Sequence, residues 1–454
     1  MQTKRTPART MLFVVIPALL VIVAAVVVFY VVSRPSRAVV GEIQSSQLEN
    51  GLKMVVYEDP TVPIVSVNVW YRVGSRNEEM GKRGVAHLME HMMFKGSKNY
   101  GPEQHAQEID QVGGIANAFT REDVTGYWET LPSSQLELAL KLEAERMDKL
   151  DLTDPKLKSE REVVKEEHRL ALQNQPFGHV LSKFRSIAFK DSPYAWTAAG
   201  DMSDLDSVTI DYLQNFYHTY YAPNNAVLIV AGNAKASDVF SLARKYFGPI
   251  PKNDKVPPIK TIPVPEPTAM QEEQLTMVVQ LPIILGGYRL PKAGDPDLPA
   301  LEVASMILSQ GDSSRLRKKL VRAEKIAVGA FGVPLTYRDV GVFIAGAVFT
   351  ADKDPQKVKN ELIAEIERLK TEDVSPAELQ KAKNQLTAQD IFGQDALSGI
   401  AQSIGEAEVI LGDYHEYFKN TEKYSQVTAQ KIREVANKYF SREHLTLVVL
   451  NPEK

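Results

Sequence analysis

A gapless internal repeat does most to limit what this chain can fold into. SVTIDYLQNFYHTYYAPNNAVLIVAG, beginning at Ser207, aligns with QVTAQKIREVANKYFSREHLTLVVLN, beginning at Gln426, at a constant offset of 219. Val208 meets Val427, Thr209 meets Thr428, Leu213 meets Ile432, Tyr220 meets Tyr439 and Tyr221 meets Phe440. Leu228, Ile229 and Val230 meet Leu447, Val448 and Val449. Each copy reads as a Thr-capped amphipathic helix, a turn and an apolar strand. Matching without gaps points to duplication. The stretch IPKNDKVPPIKTIPVPEPTAMQEEQ between the copies is rich in proline and polar residues and lacks periodicity, as a stiffened linker does. The expected layout is a first domain over 38–250, a linker over 251–274 and a second, homologous domain over 275–454. The first half opens with β-branched, aromatic text (GLKMVVY, VSVNVWYRV), followed by helical patterns at 84–96, 103–112, 134–149 and 155–172. Strands and helices that do not strictly alternate predict α+β halves.

Composition narrows the function. A net charge of −4 excludes a dedicated nucleic-acid binder, which needs clustered Lys and Arg. The chain has no cysteine, which excludes disulfides, thiolate metal sites and a cysteine nucleophile. Residues 11–32 (MLFVVIPALLVIVAAVVVFYVV) are uncharged, follow Lys4, Arg5 and Arg9, and reach the ~20 apolar residues that span a bilayer as helix. With no small-residue cleavage site just after Val32, residues 1–37 predict an uncleaved membrane anchor; secretion after cleavage is the alternative. Basic residues ahead of the span favour a single-pass protein of the bacterial inner membrane with its domains facing the periplasm, although Arg34 and Arg37 weaken that orientation.

The chemistry is carried by His87-Leu88-Met89-Glu90-His91. Histidines four apart on a helix share a face, and Glu90 lies one turn from His87 on nearly the same side. The order H-x-x-E-H inverts the H-E-x-x-H of other zinc peptidases. Two neutral imidazoles and a carboxylate suit Zn²⁺ while leaving a fourth position for water, and a carboxylate that is not a ligand can take that water's proton. The third ligand is sought in the helical segment KLKSEREVVKEEHRL. Glu160 and Glu167, seven apart, share one face; Glu162 and Glu166 share another that suits water. Glu167 is the expected ligand and Glu160 the carboxylate that steadies the site. One zinc per chain is expected, because the second half has only His415 and His444. His105, His168, His179 and His218 show no metal-binding spacing, and only His168, beside Glu167, bears watching.

At these residues the chain resembles the pitrilysin-type (M16) zinc peptidases, especially bacterial members related to mitochondrial processing peptidase. The resemblance runs from about Leu48 to the C-terminus through LENGLKMVVYED, VGSRNEEMGKRGVAHLMEHMMFKGSKNY, GGIANAFTREDVTGYWETLP and EREVVKEE. It implies a third ligand 76 positions beyond the second histidine, which is Glu167, and a further site glutamate at Glu160. It implies duplicated α+β halves enclosing a chamber. It also implies that a peptide or unfolded polypeptide substrate adds a strand along Ala116, Asn117, Ala118, Phe119 and Thr120, a mode in which main-chain hydrogen bonds supply affinity.

One departure stands out. The resemblance implies an arginine and a downstream tyrosine in the second half that bind substrate and stabilise the tetrahedral intermediate. Arg322 can stand for the arginine, but Ala327, Val328 and Gly329 occupy the tyrosine's place. The expectation is a homodimer, or a heterodimer with a homologue that supplies the missing groups. The competing expectation is a non-enzymatic assembly subunit.

Overall fold

The computed structural model describes residues 41–173, 175–393 and 396–453. The described residues from Ile43 onward form a compact unit that holds the buried hydrophobic core. The expected anchor over 11–32 lies outside the described residues. Among the described residues no helix is long and apolar enough to cross a membrane.

Two sheets organise the fold. The first contains β1 (Glu42–Gln47), β2 (Lys53–Glu58), β3 (Ile64–Tyr71), β4 (Ile115–Thr120), β5 (Thr125–Pro132) and β6 (Ala226–Gly232), in the order β1-β2-β6-β3-β5-β4. The second contains β7 (Gln271–Met277), β8 (Ile283–Leu290), β9 (Gly329–Thr336), β10 (Gly341–Val348) and β11 (Leu445–Pro452), in the order β7-β11-β8-β10-β9. From β2 onward the two are the same sheet drawn twice. β2 runs parallel to β6 as β7 does to β11, and every other pairing from β6 to β4 and from β11 to β9 is antiparallel. The offset of 219 holds residue by residue in the repeated unit. Helix Ile210–Tyr220 answers helix Ala429–Tyr439, and the caps match: Thr209 Oγ1 accepts from Tyr212 N at 3.3 Å and Thr428 Oγ1 from Lys431 N at 3.1 Å.

Strands such as IVSVNVWY are apolar on nearly every position because both faces are covered. On one face of the first sheet, Val65, Val67, Val69 and Tyr71 meet the helices of their own half. On the other, Trp70 meets Leu397, Ile400, Ala401 and Ile404, the last four from a helix of the second half (Leu397–Glu406). The exchange is reciprocal. Helix Pro176–Ala188 of the first half lays Val180 and Phe184 on Leu285, Val342 and Val448 of the second sheet. Packing therefore crosses the expected boundary in both directions.

The expected linker is too long at its C-terminal end. β7 begins at Gln271, with a side-chain exposure that alternates along QEEQLTM. Glutamates and glutamines disguise it as loop, but it is an edge strand whose partner, β11, comes from the far end of the chain.

Candidate metal centre

Helix Val85–Met92 buries Val85, Ala86, Leu88, Met89 and Met92, the i, i+3, i+4, i+7 stripe of an amphipathic helix. His87, Glu90 and His91 fall on the opposite flank, half-buried. Gly84 sits at the N-cap with φ 94°, where a side chain would strain, and a Cβ on Gly200 would lie 2.2 Å from its nitrogen. The second helix, Asp154–Gln173, buries Leu157, Glu160 and Val164 and turns Glu167 toward the histidines. Glu162 and Glu166 point to solvent and pair with Lys165 and Arg169.

The two helices bring His87, His91 and Glu167 to one point, with their nearest ligand atoms within 4.8 Å of one another. His91 Nε2 is 3.4 Å and His87 Nε2 3.7 Å from the same oxygen, Glu167 Oε2. These separations are long for hydrogen bonds. They suit a shared ion: ligands roughly 2.0–2.1 Å from zinc in tetrahedral array lie about 3.4 Å apart. Burial, with His91 beside it, lowers the His87 pKa to about 4, so the imidazole is neutral at pH 7, the form a metal requires. The donor set therefore fits a zinc ion.

Glu90 is placed otherwise. Its Oε2 accepts from the Thr120 hydroxyl at 2.5 Å. Burial raises its pKa above the usual carboxylate range, partly offset by Thr120 and His91. Glu160, only 5% exposed, lies behind the ligands: Oε2 is 3.5 Å from His91 Nδ1, and Oε1 is 3.1 Å from Lys95 Nζ, which also pairs with Glu103.

β4 is the outer strand of its sheet, and its end touches the site through Thr120. Ala116, Ala118 and Thr120 lie on the face shared with the metal helix, and Asn117 and Phe119 on the other. Phe119 covers Gly126, where a Cβ would come within 2.5 Å of the ring, and meets Trp70 edge-on at 4.9 Å. Its side chain is thus a packing element. Arg322 is exposed and paired with Asp312 Oδ2 at 3.2 Å, and Val328 is exposed just ahead of β9. The helix of the second half that answers the metal helix, Leu298–Ser309, carries no histidine and is nearly all buried.

Three features escaped sequence reasoning. Lys95 and Glu78 are ordinary surface residues by type, and only their partners reveal them. His105 is the third. It lies buried 3.7 Å from both Glu129 and Glu143, and no ligand-like spacing marks the group because the three come from separate elements. Arg146 Nη2 contacts Glu129 at 3.1 Å and also pairs with Glu143. The guanidinium already supplies the positive charge an ion would bring, so this group is a buried charge cluster. His168, the other histidine to watch, has Nε2 3.3 Å from the Gly200 carbonyl.

Known proteins resemble this chain along most of its length. Residues 53–201 match the family model for insulinase (peptidase family M16), and residues 207–386 the model for the peptidase M16 inactive domain. The chain is 32% identical over 418 residues to a zinc protease, PqqE, of Helicobacter pylori, covering 90% of this chain and 93% of the relative. It is 31% identical over 402 residues to an uncharacterized zinc protease of Rickettsia felis, covering 87% and 94%. The crystal structure of a protease from Helicobacter pylori superposes with a TM-score of 0.87 at 31% identity, covering 91% of this chain and all of that one.

Proposed function

The chain belongs to the insulinase (M16) family of peptidases, and from that premise we propose that it is a zinc-dependent metalloendopeptidase. His87, His91 and Glu167 hold one ion, and Glu90 is the general base. The observation that carries this reading is the convergence of two imidazoles on one carboxylate oxygen, Glu167 Oε2, at 3.4 Å from His91 and 3.7 Å from His87. Zinc held by His87, His91 and Glu167 would lower the pKa of a water there to about 7 and would polarise the scissile carbonyl. Glu90 takes a proton from the attacking water and delivers it to the departing amide nitrogen. Thr120 engages Oε2 of Glu90, which leaves Oε1 for that transfer. Glu160 fixes the pose of His91 through Nδ1. An extended peptide pairs its main chain with the open edge of β4, beginning beside Thr120, so substrates are peptides or unfolded segments. The test is a zinc measurement on the purified full chain, with cleavage of an unstructured peptide panel before and after chelation. Zinc near one per chain and chelator-sensitive cleavage are expected; a folded chain without zinc that still cleaves would refute the assignment.

A second reading is favoured by Arg322, turned to Asp312, and by Val328 in the expected tyrosine's place. In it the lone chain is weak, or serves as an assembly subunit, and a homologous partner supplies the missing groups. Unchanged cleavage on mixing with such a homologue would remove this reading. A membrane anchor over 11–32, with the enzyme facing the periplasm, is proposed on the sequence alone.

A further inference from the structure

We propose that Glu78, backed by Trp196, is a positioning residue that sets the pose of the metal helix. The inference rests on the metallopeptidase reading above. Helix Val85–Met92 has only two turns, so few internal hydrogen bonds hold it, and its first N–H groups have no partner within the helix. Its N-cap is glycine, with no side chain to satisfy them. Glu78 takes that role from six residues upstream: Oε2 accepts from Gly84 N at 3.0 Å and Oε1 from Ala86 N at 2.9 Å. The two oxygens of the Glu78 carboxyl group thus grip the turn directly before His87.

Glu78 is itself held. Trp196 Nε1 donates to its Oε2 at 3.0 Å, and Glu78 is 6% exposed. The Trp196 carbonyl accepts from Arg185 Nη2 at 3.1 Å, and Arg185 Nη1 donates to the Tyr337 hydroxyl of the second half at 2.8 Å. The chain of contacts runs from the turn after β9 to the backbone one residue ahead of the first imidazole. Both histidines ride on this short helix while Glu167 rides on another. A small rotation of the first helix therefore changes the separation of the ligand atoms, and Glu78 acts on the metal without touching it.

The experiment uses the full chain with Glu78→Gln and Trp196→Phe. A glutamine presents an N–H₂ to donors that need an acceptor; phenylalanine keeps a ring but removes the indole N–H. Zinc affinity is measured by competition with a chelating dye, folding by circular dichroism, and kcat and KM on one peptide. Glu78→Gln is expected to weaken zinc binding about 10–100-fold and to lower kcat with KM nearly unchanged. Trp196→Phe is expected to give a smaller loss in the same direction, and it decides the matter if Glu78→Gln does not fold. Folded variants with wild-type zinc affinity and kcat would overturn the inference while leaving the metallopeptidase reading intact. A wild-type chain that binds no zinc would overturn that reading first.

Discussion

The Thr120 hydroxyl donates to the Glu90 carboxylate at 2.5 Å, so the helix bearing the proposed base is fastened to the end of the open edge strand. The open edge strand and the proposed base are thereby held in fixed relation. Burial raises the Glu90 pKa, and the Thr120 hydrogen bond opposes that rise. The base must be ionised to accept a proton. In Thr120→Val the opposing hydrogen bond is gone, the pKa climbs further, and the acid limb of kcat/KM is expected to move to higher pH. An acid limb left in place would contradict this coupling.

Glu90→Gln keeps the side chain's shape and removes its basicity. Peptide cleavage is expected to fall about 10²–10⁴-fold, with zinc content unchanged by elemental analysis. Full activity with zinc retained would rule Glu90 out as the base.

Neighbouring glutamates on one helix should differ sharply. Glu167 faces both histidines, whereas Glu166 is exposed and paired with Arg169 at 2.8 Å. Glu167→Ala is expected to lower zinc affinity by more than about a hundredfold. Glu166→Ala should leave it at the wild-type value and change stability by no more than about 0.5 kcal/mol. Dye competition on the two variants side by side gives the answer.

His105 makes stability pH-dependent. Burial, with Arg146 nearby, lowers its pKa to about 3, against about 6.5 when unfolded. The unfolded chain therefore takes the proton first, and the contribution is complete above about pH 6.5 and fades as pH falls toward 3. From pH 7 to pH 5 the wild type should lose about 2 kcal/mol more than His105→Gln in urea unfolding. Parallel losses in the two proteins would mean that His105 titrates normally.

The reciprocal helices need bare backbone where they meet the sheets, on the helix at Gly405 and on the strand at Gly287. A Cβ on Gly405 would lie 2.2 Å from Trp70 Nε1, and one on Gly287 2.2 Å from the Phe184 ring. Gly405→Ala and Gly287→Ala are each expected to cost about 1–3 kcal/mol and to lower Tm measurably in thermal scans. Wild-type melting in both would show that the helices can shift freely.

Much of this protein is legible in the order of its residues. The offset of 219 and its Thr209 and Thr428 caps can be read because helix periodicity and capping are local. The His87, Glu90 and His91 face can be read for the same reason, and a seven-residue interval places Glu160 and Glu167 together on another helix. Tertiary structure alone decided that the two faces meet, that β7 is a strand, that each half lends a helix to the other's sheet, and that Glu78 caps the helix bearing the histidines while Lys95 pairs with Glu160. Those features depend on contacts between residues far apart in the chain, where side-chain type and spacing carry no record of the partner. His105, Glu129, Glu143 and Arg146 make the same point: each is ordinary in its own segment, and only burial together makes them a charge cluster.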